Sequence, residues 1–303
     1  MDHLKELSYK DLRDELDKLS EKYEDFNYSY LGMSLLSRPI PLITLGDKRA
    51  TKSVLYVATH HATENVCTTV LLKLIQDYLC AYDSFKQLYS INSRYLHRMR
   101  KIHIIPMLNP DGVEYRLNGI EGTNPLYQRV IKYNENEMDF SKWNSNARGV
   151  DLNHNYNAGF MEYKQIERER EILPGRSKYS GEFPESEPEV SALCNFIRFN
   201  QEELQGVLSL HTQGEEIYYT SGGKIPKKSK HIAEIISKMT GYALSIPEDT
   251  ACYGGLTDWL IREMDIPAFT IECGKGQNPL DISFAKSIYA RIKELLFTFP
   301  ILF

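Results

Sequence analysis

The chain alternates short apolar runs with longer segments in which apolar residues recur every three or four positions. The short runs, at 27–32, 40–47, 53–58, 102–108, 206–211, 216–220 and 268–272, are rich in Val, Ile, Leu, Tyr and Phe and predict β-strands. The first two read as antiparallel edge strands leading into 53–58, the second closed by Gly46-Asp47. Helical spacing appears at 8–23 (Tyr9, Leu12, Leu16, Leu19, with Ser8 placed to cap) and at 64–82 (Val66, Val70, Leu71, Leu74, Ile75, Leu79). It returns near 85–99, at 187–200 (Val190, Leu193, Cys194, Ile197), and at 227–240, 255–264 and 281–297. Between 113 and 187 the periodicity fades into a polar, Tyr- and Asn-rich stretch, and a segment that long with little structure of its own is usually functional. Strands alternating with helices predict an α/β sheet. No composition break or repeat divides residues 1–303, so one domain is expected, with 1–30 as its helical lead-in.

Composition narrows the choices. A net charge of −5 gives no reason to expect nucleic acid or an anionic membrane as partner. No run approaches the roughly 20 apolar residues of a membrane span. The five cysteines (Cys67, Cys80, Cys194, Cys252, Cys273) are scattered and odd in number. Together with a beginning that lacks the pattern of an export leader, they predict a cytoplasmic protein. The sequence leaves oligomeric state open.

Chemistry gathers where strands end. In an open α/β sheet the crevice beyond the carboxyl ends of the strands is where ligands bind. His61 follows the strand at 53–58, and Glu64 falls in the first turn of the helix after it. An imidazole and a carboxylate so placed either converge on a cation or form an ordinary exposed helix start, the acid favouring the positive helix end. His211 also ends a strand, as a third donor or as a core histidine. Two His and one carboxylate leave a fourth position for water, the arrangement of catalytic rather than structural zinc. Glu272 ends the strand at 268–272. It is costly to bury unpaired, so it is either a partner for Lys275 or a general base facing a polar cavity. Asn109-Pro110-Asp111-Gly112 reads as a turn. Polar residues alternating around Leu152 place Asp151, Asn153 and Asn155 on one face of an extended segment, suited to holding a polar ligand or supporting metal ligands.

From Leu31 onward the chain resembles the zinc carboxypeptidases of the carboxypeptidase A type. The resemblance rests on His61-x-x-Glu64, Asn109-Pro110-Asp111-Gly112, Gly149-Val150-Asp151-Leu152-Asn153, the strand-end His211, Tyr253-Gly254-Gly255 with Asp258-Trp259, and Phe269-Thr270-Ile271-Glu272, in that order. It implies a mixed, mostly eight-stranded sheet flanked by helices, and one zinc ion held by His61, Glu64 and His211. It further implies Glu272 as general base and Tyr253 on a mobile loop closing over substrate, with Arg148 as the candidate cation for the oxyanion. Asn153 is implied to contact substrate.

One departure bears on substrate. The family has Asn-Arg where this chain has Asn153-His154, and a His cannot form the bidentate fork that grips a terminal carboxylate. The phrase from Arg148 to Phe160 is similar to a bacterial branch, the γ-D-glutamyl-diaminopimelate peptidases. So are 185–189, 212–216 and 274–279. That likeness implies a peptide or muropeptide substrate from cell-wall stem peptides, with Glu215, Thr257 and His154 lining a polar pocket. The alternatives are another carboxypeptidase or an N-acyl amino acid deacylase on the same scaffold, or a non-catalytic module binding wall fragments.

Overall fold

The computed structural model describes residues 5–303. Helix α1 (Tyr9–Lys22) starts at a reciprocal cap in which Ser8 and Asp11 satisfy each other's backbone N–H groups. Strands β1 (Tyr28–Met33), β2 (Pro39–Leu45) and β3 (Ser53–Ala58) follow, then α2 (Val66–Asp83). The segment expected to be a helix over 85–99 divides into a small hairpin, β4 (Gln87–Leu88) and β5 (Ile91–Asn92), and the short α3 (Ser93–Met99). Its turn holds Tyr89 and Ser90 at positive φ, which breaks the helix.

Strand β6 (Lys101–Ile105) leads to α4 (Pro110–Asn118). The expected turn at 109–112 is the start of this helix: Pro110 occupies its first position and the Asn109 side chain accepts from Gly112 N–H. The polar stretch beyond is more ordered than its pattern predicted, with α5 (Tyr127–Tyr133) and α6 (Phe160–Glu169) inside it. Then come α7 (Pro188–Phe199), β7 (Leu204–His211), β8 (Glu216–Tyr218), α8 (Ser229–Thr240), β9 (Ala243–Leu244), α9 (Leu256–Arg262), β10 (Ala268–Glu272) and α10 (Phe284–Thr298).

Eight strands form a mixed sheet in the order β1-β2-β6-β3-β7-β10-β8-β9. Its centre, β6-β3-β7-β10, is parallel, while β1, β2 and β8 pair antiparallel with their inner neighbours. Thus β2 reaches β3 only through β6, because β6 inserts between them. The apolar runs bury both faces of these central strands. Val54, Tyr56 and Ala58 face a core shared with α1, α2, α8 and α10. Leu55 and Val57 face the opposite core, shared with α7 and α9. Parallel strands sandwiched between helices bring all their carboxyl ends to one edge. Among the described residues no helix is long and apolar enough to cross a membrane.

Candidate metal centre

Three devices bring the candidate donors together. Thr59 turns the chain out of β3 at a φ of 59°, so that His61 precedes a single 3-10 turn, Ala62–Glu64, rather than the first turn of α2. His211 is the last residue of β7, and Glu272 is the last of β10. The parallel ladder pairs Glu272 with His211. Asn109 fastens the first loop, its amide donating to the carbonyls of His60 at 3.0 Å and Ser145 at 3.1 Å.

His61 Nδ1 lies 3.0 Å from Glu64 Oε1, and His211 Nδ1 lies 2.9 Å from Glu64 Oε2. Donor atoms of the three residues lie within 4.8 Å of one another. The outer ring nitrogens are held from behind: His61 Nε2 by Asp151 Oδ1 at 3.0 Å, His211 Nε2 by Ser209 Oγ at 3.0 Å. Such partners fix ring orientation and leave the Nδ1 edges directed inward. Burial opposes charge on His61 and Glu64. The carboxylates of Glu64 and Asp151 nevertheless hold the His61 pKa well above its ordinary value, and the two imidazoles hold Glu64 down at about 2. A buried carboxylate kept ionised between two oriented imidazoles is a donor set suited to zinc.

Glu272 lines the same cavity as His61 and His211, a space of about 150 Å³. Burial, and then the charge of Glu64, push its pKa well above the usual carboxylate range.

Asn153, His154 and Thr257 also line this cavity. Asn153 Oδ1 accepts from Leu256 N–H at 3.1 Å, and Thr257 Oγ1 meets Thr270 Oγ1 at 2.8 Å. The His154 ring stacks on Tyr163, 4.2 Å between centroids and 9° from parallel. The expected polar row is absent, because Asp151 caps a 3-10 turn over Leu152–His154 that splays the three side chains apart. Asp151 goes to His61, Asn153 to the cavity, and Asn155 to the Ser180 carbonyl in the interior.

Three of the expected site residues stand outside this cavity. Arg148 does not line the cavity: its guanidinium forks onto Glu187, both contacts 2.8 Å, and also holds the Ser186 carbonyl. Beside a different cavity, these three hydrogen bonds fasten the loop. Glu215 pairs with Lys275 at 3.1 Å and stays outside the cavity. The Tyr253 ring lies against Gly159, with the Arg262 guanidinium 5.9 Å from its centroid. Thr250, three residues earlier on the same loop, lines the cavity in its place.

The sequence reading missed Tyr218 and Thr220 and gave no role to Asp258 and Thr270 beyond their motifs; all four are in the cavity wall. It also missed Asn278, whose amide donates to the Thr212 carbonyl at 2.7 Å and to Glu64 Oε1 at 3.3 Å. The phrase 274–279 stood out in the sequence, but nothing local assigned Asn278 a partner 214 positions away.

A two-His, one-carboxylate donor set at the carboxyl edge of a mixed eight-stranded sheet, with a second carboxylate alongside, defines a metallohydrolase class. The zinc carboxypeptidase family model matches residues 12–294, and the chain belongs to that family. It is a zinc metallopeptidase by that membership. Among named relatives it is similar to gamma-D-glutamyl-L-diamino acid endopeptidase 1 of Lysinibacillus sphaericus, with 33% identity over 93% of this chain and 69% of the relative. Carboxypeptidase A from Helicoverpa armigera shares the fold, with a TM-score of 0.72 and 18% identity over 97% of this chain and 72% of that one. So does murein-tripeptide amidase MpaA from Escherichia coli O157, with a TM-score of 0.56 and 21% identity over 89% and 91%.

Proposed function

We propose that this protein hydrolyses the γ-D-glutamyl-diaminopimelate bond of peptidoglycan stem peptides, with one zinc per chain. The observation that carries the metal assignment is the convergence of both inner imidazole nitrogens on the two oxygens of Glu64, beside Glu272. The substrate class is supported by the Lysinibacillus relative and by the replacement of the family's arginine with His154. His61, Glu64 and His211 would hold the metal. When bound, zinc supplies Lewis acidity, acidifying water and polarising the scissile carbonyl.

The protein's own groups do the rest. Glu272 accepts the proton of the attacking water and returns it to the departing amine. Asp151 and Ser209 keep the imidazole edges aimed inward, while Asn153 and His154 receive the leaving-group residue. A cytoplasmic role in processing muropeptides fits the scattered cysteines.

Zinc content measured beside hydrolysis of L-Ala-γ-D-Glu-diaminopimelate tests the proposal. Glu272→Gln should keep its zinc and lose about 10²–10⁴ in kcat. Wild-type turnover in that variant removes the general-base role. Cleavage of N-acyl amino acids but not of the peptide points to a deacylase, and zinc binding without either activity points to a binding module.

A further inference from the structure

Two of the three candidate donors have a partner behind them, Asp151 for His61 and Ser209 for His211. The third, Glu64, is reached from the loop that follows β10. Asn278, exposed on that loop, meets Thr212 twice. Its Oδ1 accepts from the Thr212 hydroxyl at 2.7 Å, and its Nδ2 donates to the Thr212 carbonyl at 2.7 Å. A carbonyl can only accept, so this pair fixes which end of the amide is nitrogen. The second Nδ2 hydrogen is left for Glu64 Oε1, 3.3 Å away. Thr212 directly follows His211, so one amide ties the turn beyond one donor to the carboxylate of another. Two backbone hydrogen bonds keep the same loops in register: Cys273 N–H donates to the His211 carbonyl at 2.8 Å, and Gly214 N–H to the Gly274 carbonyl at 2.9 Å.

How much this amide matters depends on what the imidazoles are doing. The Glu64 carboxylate meets His61 Nδ1, His211 Nδ1 and Asn278 Nδ2. A ring nitrogen that binds a metal gives its lone pair and carries no proton. With zinc bound, therefore, neither imidazole can donate to Glu64. Among the described residues, Asn278 is then the side-chain donor left to that carboxylate. Glu64 is 4% exposed, and a buried acceptor short of partners is costly. We infer that Asn278 is the positioning residue of Glu64. It directs the carboxylate when the imidazoles turn their lone pairs to the metal, and it links that carboxylate to the turn after His211. The inference rests on the metal assignment of the proposed function and is independent of which bond is cleaved.

Metal affinity and a spectrum test this without any substrate. Asn278→Ala should raise the zinc dissociation constant about 10–100-fold in a chelator competition. With cobalt(II) in place of zinc, the same variant should change the visible absorption, which reports coordination geometry. Asn278 lies on an exposed loop, so the urea midpoint of the metal-free protein should stay near that of the wild type. Thr212→Val is the control for the turn alone. It removes the hydroxyl that donates to Asn278 Oδ1 and leaves both Nδ2 hydrogen bonds, so zinc affinity and the cobalt spectrum should hold. Wild-type zinc affinity and cobalt spectrum in Asn278→Ala overturn the inference and leave the metal assignment standing. An equal loss of affinity in Thr212→Val also overturns it, because the turn and not the carboxylate is then what matters. Zinc affinity that survives Glu64→Gln removes Glu64 from the donor set, and with it both the metal assignment and this inference.

Discussion

The strand ends and the excursion between α4 and α7 build one site by different means. At the strand ends, position comes from the ladder: pairing Ile271 with Leu210 obliges Glu272 to sit beside His211. A slip of one residue would turn both side chains to the other face, and the buried cores on both faces forbid it. The excursion has no ladder. It carries a separate small core of Ile120, Val130, Phe140, Trp143 and Ala147, closed by Tyr115 of α4. Its functional residues are aimed by hydrogen bonds, Asp151, whose other oxygen accepts from Lys178 N–H, onto His61 and Asn153 onto Leu256. The sheet therefore fixes the reacting groups, and the excursion adjusts them and shapes what they meet. Chemistry shared across a family belongs on the rigid part, and substrate choice on the part that tolerates change.

The sharpest way to separate the two regions is Trp143→Ala. Trp143 is fully buried in the excursion's own core, and its loss should cost about 3–5 kcal/mol of stability by denaturant unfolding. If the regions are distinct, zinc binding should survive in the folded fraction while kcat/KM falls. Equal loss of both would show one cooperative unit.

A smaller effect is expected at the link between them. Asp151→Ala leaves the donors in place and removes the acceptor behind His61, so zinc affinity should drop about 10–100-fold in a chelator competition. Unchanged affinity would mean that the excursion does not support the donors.

The mildest test lies in the seam. Glu189, in the first turn of α7, is fully buried, accepts from Leu35 N–H at 3.0 Å, and has one oxygen without a partner among the described residues. Burial, and then the charge of Asp111, raise its pKa from 4.5 to about 8. The folded protein therefore holds this proton more tightly than the unfolded chain. The associated stability is full below about pH 4.5 and is lost as pH rises through about 8. Glu189→Gln should flatten that decline, measured as the difference in urea midpoint between pH 6 and pH 9. An unchanged pH slope would assign the decline to other groups.

Much of the fold was legible because its signals are local. Central strands buried on both faces appear as unbroken apolar runs, and α1 and α7 show their buried stripes at helical spacing. The donors were legible because each follows such a run, and the family motifs then joined them. Segments governed by a few residues were misread. The hairpin over 87–92 is hidden within an apolar spacing that also suits a helix, and α4 begins with four residues that also make a turn.

The sequence by itself determined the alternating architecture and placed the candidate groups at or just beyond strand ends, since periodicity and strand-end position are properties of neighbours in the chain. Only the tertiary structure decided where Arg148, Glu215 and Tyr253 go, because Glu187, Lys275 and Gly159 are their partners and lie far along the chain. It alone also brought Asp258, Tyr218 and Thr220 into one wall with His154. A side chain's direction is set by which distant group best satisfies its hydrogen bonds and charge, and that competition exists only once the chain has folded.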